Sequence, residues 1–183
     1  MTRRLGLVLA LLLIAAAPAP PTPPASPPPS PAPAAAPTPA KGSVTGLPLP
    51  RFAALRSDDV NLRAGPGTRY PITWVYKRRG LPVEIEREFD VWRLVRDADG
   101  TEGWVHEATL TGRRTLLVIG AEQTLRAAPR DDAAIVARAA AGVVGRISHC
   151  AADSPWCEVE IKGYRGFLPR TAFWGSFPGE AVN

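Results

Sequence analysis

The stretch VNLRAGPGTRYP, Val60 to Pro71, returns later in the chain as QTLRAAPRDDAA, Gln123 to Ala134, so that L-R-A-x-P is written twice with 63 residues from Leu62 to Leu125. The parallel runs on past the motif. Ile72 answers Ile135, Gly80 answers Gly142, Ile85 answers Ile147 and Trp92 answers Trp156. Gly103-Trp104-Val105 then answers Gly166-Phe167-Leu168, and Leu110 answers Phe173. A match kept in order over roughly fifty residues marks an internal duplication.

Each copy reads as β. LPVEIEREF, 81–89, alternates Val83, Ile85, Arg87 and Phe89 against Glu84, Glu86 and Glu88, the period of a strand with one mainly buried face. This pattern places the three glutamates on the solvent side. VWRLV follows a turn at Asp90, and DADG, 97–100, is a hairpin turn feeding TEGWV. Five short strands in about 55 residues, punctuated by Gly, Pro and Asp, suit a small barrel better than helices. The alanine-rich window from Asp131 to Ala141 looks helical in isolation, but it aligns with Tyr70–Arg79 and is read as loop and strand.

The repeated motif has an architectural logic. Leu62 anchors a strand in the core, while Gly65 and Pro66 force a sharp exit into a long loop. Arg63 and Arg126 each follow a buried leucine and so face outward, where each is expected to meet a carboxylate.

The 183-residue chain is not uniform, and its start is built differently from its middle. Arg3 and Arg4 precede LGLVLALLLIAAA, 5–17, an apolar run of the kind found in export signals. Residues 1–17 are therefore read as a signal peptide or an uncleaved N-terminal anchor, since the run falls short of the ~20 residues needed to span a bilayer. Residues 18–50 hold 14 of the 21 prolines and read as a disordered, extended tether. The remainder divides into 51–115 and 116–183, one copy in each.

At this point the residues carry a resemblance. N-L-R-x-G-P at 61–66, Y-P-I at 70–72, Gly80, Trp92 and G-W-V at 103–105 stand in the order of the bacterial SH3 domain, which the first copy resembles. The second copy is similar but degenerate, with Ala128 for a glycine, Phe167 for the tryptophan of G-W-V and an inserted loop before Trp156. The resemblance implies an all-β chain of two tandem SH3-like barrels. It also implies that Leu62, Gly65, Pro66, Trp92, Gly103, Trp104 and Trp156 are structural, with Trp92 and Trp156 at equivalent core positions. Across the family, recognition of cell wall, peptide or metal-linked ligands takes place at the barrel surface.

Cys150 and Cys157 lie at the end of one expected strand and the start of the next. In an exported chain this even, closely spaced pair reads as a disulfide rather than a zinc half-site, for which His149 is the sole nearby addition. No metal or cofactor is expected. The two histidines, His106 and His149, fall at non-equivalent positions, and no G-x-S-x-G or H-E-x-x-H occurs, so the chain is read as no enzyme.

Binding is the remaining class. Lys77, Arg78 and Arg79 form a basic run beside Tyr70, Trp74 and Tyr76, giving either a cationic, aromatic face for a cell-wall polymer or a solvated turn over core aromatics. The formal charge of +5, falling to +3 without Arg3 and Arg4, argues against a nucleic-acid partner. Two functions stay open for a chain placed in the periplasm or cell envelope. One is a module that recognises peptidoglycan or a periplasmic peptide, and the other is an envelope protein–protein scaffold without glycan contact. Membrane contact enters solely through the N-terminal segment.

Overall fold

The computed structural model describes residues 40–183; the expected signal segment and the tether up to residue 39 lie outside them. The first strands are a short hairpin, β1 (Ala40–Lys41) and β2 (Pro48–Leu49). The first copy then runs through β3 (Arg51–Leu55), β4 (Val60–Arg63), β5 (Ile72–Tyr76), β6 (Pro82–Phe89), β7 (Trp92–Arg96) and β8 (Glu102–His106). A single 3-10 turn, Glu107–Thr109, leads into β9 (Leu110–Thr111). The second copy repeats the series as β10 (Thr115–Val118), β11 (Gln123–Arg126), β12 (Ile135–Ala139), β13 (Val144–His149), β14 (Trp156–Ile161) and β15 (Tyr164–Pro169). A 3-10 turn, Arg170–Ala172, and β16 (Phe173–Trp174) close it.

Strand order is β5-β4-β8-β7-β6-β3-β9 in one sheet and β12-β11-β15-β14-β13-β10-β16 in the other. The two orders are the same under the repeat, and each copy has its own core. The first is built on Leu55, Val60, Leu62, Val83, Ile85, Val95 and Val105, the second on Leu116, Val118, Leu125, Ile147, Val159 and Leu168. Among the described residues the chain is all-β, with two tandem SH3-like folds. The alanine-rich window forms loop and strand, as its alignment requires.

The duplication extends to individual hydrogen bonds. Gly80 and Gly142 turn with φ of 81° and 80°, and each donates its N–H at 2.8 Å to the first strand of its own sheet, to Leu55 O and Val118 O. Gly103 and Gly166 sit under the motif leucines. A Cβ on Gly103 would lie 2.5 Å from Leu62 Cγ, and one on Gly166 would lie 2.9 Å from Leu125 Cγ and 2.5 Å from Arg126 O. The motif arginines do not meet carboxylates. Arg63 donates to Tyr70 O at 2.8 Å and Arg126 to Ala133 O at 3.0 Å, so each guanidinium ties down the carbonyl seven residues ahead and fixes the loop leaving its strand.

Alternation along β6 holds only to Ile85. A bulge between Ile85 and Arg87 shifts the phase, leaving Phe89 58% exposed and turning Glu88 inward. The expectation that Glu84, Glu86 and Glu88 share a solvent face is thus corrected. Glu84 and Glu88 are buried, Glu84 pairing with Arg96 at 2.8 Å, and Glu86 alone is half-buried. The same bulge follows Ile147 in the second copy.

Glu88 has a structural task that corrects the tether boundary. Val44 N and Thr45 N donate to its Oε2, both at 2.9 Å, while Thr45 Oγ1 and Arg51 Nη2 donate to its Oε1, both at 2.6 Å. The hairpin from Ala40 to Leu49, expected to belong to a disordered linker, is clamped on the first barrel by this carboxylate. Burial alone would push the Glu88 carboxyl up, but the donors from Thr45, Val44 and Arg51 outweigh it and hold it down at about 2.

Trp92 and Trp156 occupy equivalent positions, opposite His106 and Pro169, but not in the cores. In β7 the inward positions are taken by Arg93 and Val95, so Trp92 is buried on the outer face with its ring edge-on to His106 at 5.4 Å. Trp156 is half-buried, because the inward position beside it belongs to Cys157.

The cysteines are joined, Cys150 to Cys157, and both are fully buried. Cys150 also exchanges backbone hydrogen bonds with Val182, at 2.8 and 2.9 Å, which brings the C-terminal segment against the second core. Arg170 organises that segment, donating to the carbonyls of Ser154, Ala151, Phe177 and Glu180 at 2.7 to 3.0 Å.

The barrels touch through apolar and cationic groups. Phe52, on the outer face of β3, meets the Trp174 ring edge-on at 5.1 Å and Phe177 at 4.6 Å. Arg114 lies over Phe52 and Arg96 over Trp174. Arg114 also forks onto Glu180, at 2.6 and 2.9 Å, so the connection between the barrels and the C-terminal segment share one ion pair.

Candidate binding site

The residues singled out for binding separate into three groups in space. Trp74 is 56% exposed and Ile72 46% exposed on β5, the edge strand of the first sheet. Tyr76, two positions on, is buried with its hydroxyl donating to Asp97 Oδ2 at 3.0 Å. Burial, then the charge of Asp97, raises its phenol well above the usual range, so it stays a neutral donor. Tyr76 therefore belongs to the core and not to an exposed face. Tyr70 is half-buried and lies across Gly65, where a Cβ would stand 2.5 Å from the ring. The second copy has Ala128 and Ala133 at these two places, so the tyrosine and the glycine that admits it are both absent there.

The basic run is largely occupied. Lys77 pairs with Asp59, Arg79 with Asp58 at 3.9 Å, and Arg78 donates to Gly142 O of the second barrel at 2.7 Å. Sequence reading missed Asp58 and Asp59, which stand some twenty residues upstream of the cations in a preceding loop. Their signal was the S-D-D turn before β4, legible only once β4 and β5 are known to pair. With two carboxylates against three cations, the turn carries little free charge.

What remains is an aromatic groove. It has a volume of about 400 Å³ and is bordered by Trp74, Tyr76 and Lys77 on one side and by Asp97, Asp99 and Thr101 of the β7–β8 turn on the other. Asp97 is tied up by Tyr76 and by the backbone N–H groups of Asp99 and Thr101, whereas Asp99 is exposed. Such a trough can lay a flat apolar or sugar face on the Trp74 indole while offering a carboxylate to a hydrogen-bond donor. Among the described residues no group of three His, Cys, Asp or Glu side chains is arranged to hold a metal ion.

Of the residues assigned structural roles, Leu62 is fully buried, Gly65 and Gly103 are buried, and Pro66 and Trp104 are half-buried. Trp104 sits opposite Leu94 on the outer face of the β7–β8 ladder.

A search of curated proteins finds no significant sequence match. Among solved structures, the chain is similar to NlpC2 from Trichomonas vaginalis, with 13% identity, a TM-score of 0.32, and coverage of 69% of this chain and 48% of that one. It is also similar to NlpC1 from the same organism, with 13% identity, a TM-score of 0.32, and coverage of 74% and 49%. The chain thus spans about half the length of each. The family described as "Bacterial SH3 domain" matches residues 56–112 and again 120–175, together more than half of the sequence. With the two matches falling one on each sheet, in the same strand order, the chain belongs to the bacterial SH3 domain family as a tandem pair.

Proposed function

We propose that the protein is a non-catalytic, exported binding module that holds cell-wall peptidoglycan or an envelope peptide along the groove beside Trp74. The observation that carries this reading is the indole, more than half exposed beside the exposed Ile72 on an edge strand and next to a trough, an apolar patch with an adjoining concavity of the kind that recognition surfaces use. Membership of the bacterial SH3 family supports a surface-recognition role without naming the ligand. The cations contribute less than their number suggests, because Lys77 and Arg79 already face Asp59 and Asp58. Attraction to an anionic polymer is correspondingly weak, and binding should depend little on salt.

The test is co-sedimentation of the protein with purified peptidoglycan. Trp74→Ala should abolish pelleting without lowering thermal stability, since the ring is exposed. If the wild type stays in the supernatant, or the variant pellets as well as the wild type, this groove is not a wall-binding site. The scaffold reading is favoured by one observation, that Arg78 and the aromatic seam at Phe52 already join the two barrels to each other. A supernatant result for the wild type would put that reading ahead.

A further inference from the structure

The second barrel has a groove at the position equivalent to the one beside Trp74. It lies between β12 and the β14–β15 turn, with a volume of about 250 Å³. Its lining has been rebuilt. Ala137 stands where the first barrel has Trp74, which removes the ring from the strand side. Tyr164 stands where the first barrel has Thr101, which places a ring on the turn side.

Tyr164 is 57% exposed, and backbone geometry fixes its place. Lys162 and Gly163 have φ of 49° and 86°, the two consecutive positive values of a tight hairpin, which set Tyr164 directly opposite Ile161. It shares the inward face of β15 with Gly166 and Leu168, but at the strand's end, where the barrel mouth opens over Leu125, Ala139 and Ile161. The floor is thus apolar and one wall is a flat ring. Of the charges at the rim, Arg138 pairs with Glu122 at 3.4 Å, while Lys162 is exposed and makes no ion pair or side-chain hydrogen bond among the described residues. At about 250 Å³ the space falls below the usual range for drug-sized ligands, which limits the occupant to a few small side chains.

We infer that this groove is a second binding site, for a short peptide of small apolar residues ending in a free carboxylate. The methyl groups lie on the floor under Tyr164, and the carboxylate meets Lys162. The inference rests on the second barrel alone and needs nothing from the Trp74 groove. If both grooves bind, linked sites on one polymer reinforce each other without any new contact.

The test uses N-acetyl-trialanine with a free C-terminal carboxylate and, beside it, the same peptide as the C-terminal amide, each titrated into the isotopically labelled protein and followed by amide chemical shifts. Saturable shifts are expected at residues 137–140 and 161–164 with the acid, and binding should be roughly tenfold weaker with the amide. Tyr164→Ala should weaken binding of the acid by roughly tenfold, the loss expected of a central aromatic anchor. Lys162→Gln should bring acid and amide to the same affinity while the rest of the spectrum, Cys150 and Cys157 included, stays in place as evidence of folding. The assignment is overturned by an absence of shifts in these segments or by equal binding of acid and amide in the wild type. Shifts confined to Ile72–Tyr76 would overturn it while leaving the first groove standing. Concentration-dependent shifts at Tyr164 without peptide would overturn it in favour of a second copy of the chain.

Discussion

Replacing Glu88 by glutamine isolates what its negative charge does, because the two side chains have nearly the same shape. Donors reach both carboxylate oxygens, Val44 N and Thr45 N on one, Thr45 Oγ1 and Arg51 Nη2 on the other. Turned one way, the amide NH2 faces the Val44 and Thr45 N–H groups; turned the other, it can donate to Thr45 Oγ1 but faces the Arg51 guanidinium, so the charge-assisted bond from Arg51 is weakened or lost in both cases. The size of the effect follows from the ionisation. A glutamate that titrates at 4.5 when free and at about 2 in the folded protein binds fewer protons folded than unfolded. Its charge therefore stabilises the fold fully above the unfolded value, and that stabilisation drains away as pH falls from about 5 towards 2. At 1.36 kcal/mol for each tenfold step in proton affinity, the total is about 3 kcal/mol, of which about 2 is lost by pH 3. Urea unfolding followed by tryptophan fluorescence should show Glu88→Gln less stable than wild type by about 3 kcal/mol at pH 7 and by about 1 kcal/mol at pH 3. The other carboxylates are common to both proteins and cancel in the difference. A gap that stays constant between the two pH values would refute the reasoning, since the cost would then come from shape and not from charge.

Other outcomes follow from the same geometry. Phe52→Ala should cost about 3 kcal/mol and uncouple the unfolding of the two barrels, visible as two calorimetric transitions. Gly103→Ala should lower the shared transition, because the added methyl would lie 2.5 Å from Leu62 Cγ and 3.0 Å from Arg63 O; combined with Phe52→Ala it should move the first barrel's transition and leave the second barrel's in place. Replacing both Cys150 and Cys157 by serine should cost the second barrel about 2.5 kcal/mol, the loop-closure value for so short a loop, and should speed amide exchange at Val182. Arg170→Ala should release residues 176–182 to fast exchange, since four carbonyls lose their common donor.

The first copy's β6 marks the boundary between what could be read locally and what could not. Val83 and Ile85 are buried as their spacing demands, yet Glu88 and Phe89 have exchanged faces, because one bulged residue reverses the phase of everything after it. A bulge is a property of two paired strands and leaves no mark on one. Trp92 carries the same lesson. The family resemblance implied a core position, but β7 turns Arg93 and Val95 inward, and Arg93 is tolerated there because it donates to Asp90 O and Trp92 O and pairs with Glu107.

The sequence by itself determined the duplication, the all-β class, the family and the disulfide. Each of these rests on residue identity at fixed spacing: glycines where a Cβ would collide, leucines at strand period, two cysteines across one hairpin. Tertiary structure decided which of the marked residues are available to a ligand. It buried Tyr76 and exposed Trp74, set Asp58 and Asp59 against Arg79 and Lys77, laid Phe52 between Trp174 and Phe177, and stood Tyr164 at the mouth of the second barrel. Periodicity reports the face of a strand on which a side chain lies. Whether that face meets water, a charge or the neighbouring barrel depends on residues far away in sequence that only the folded chain brings together.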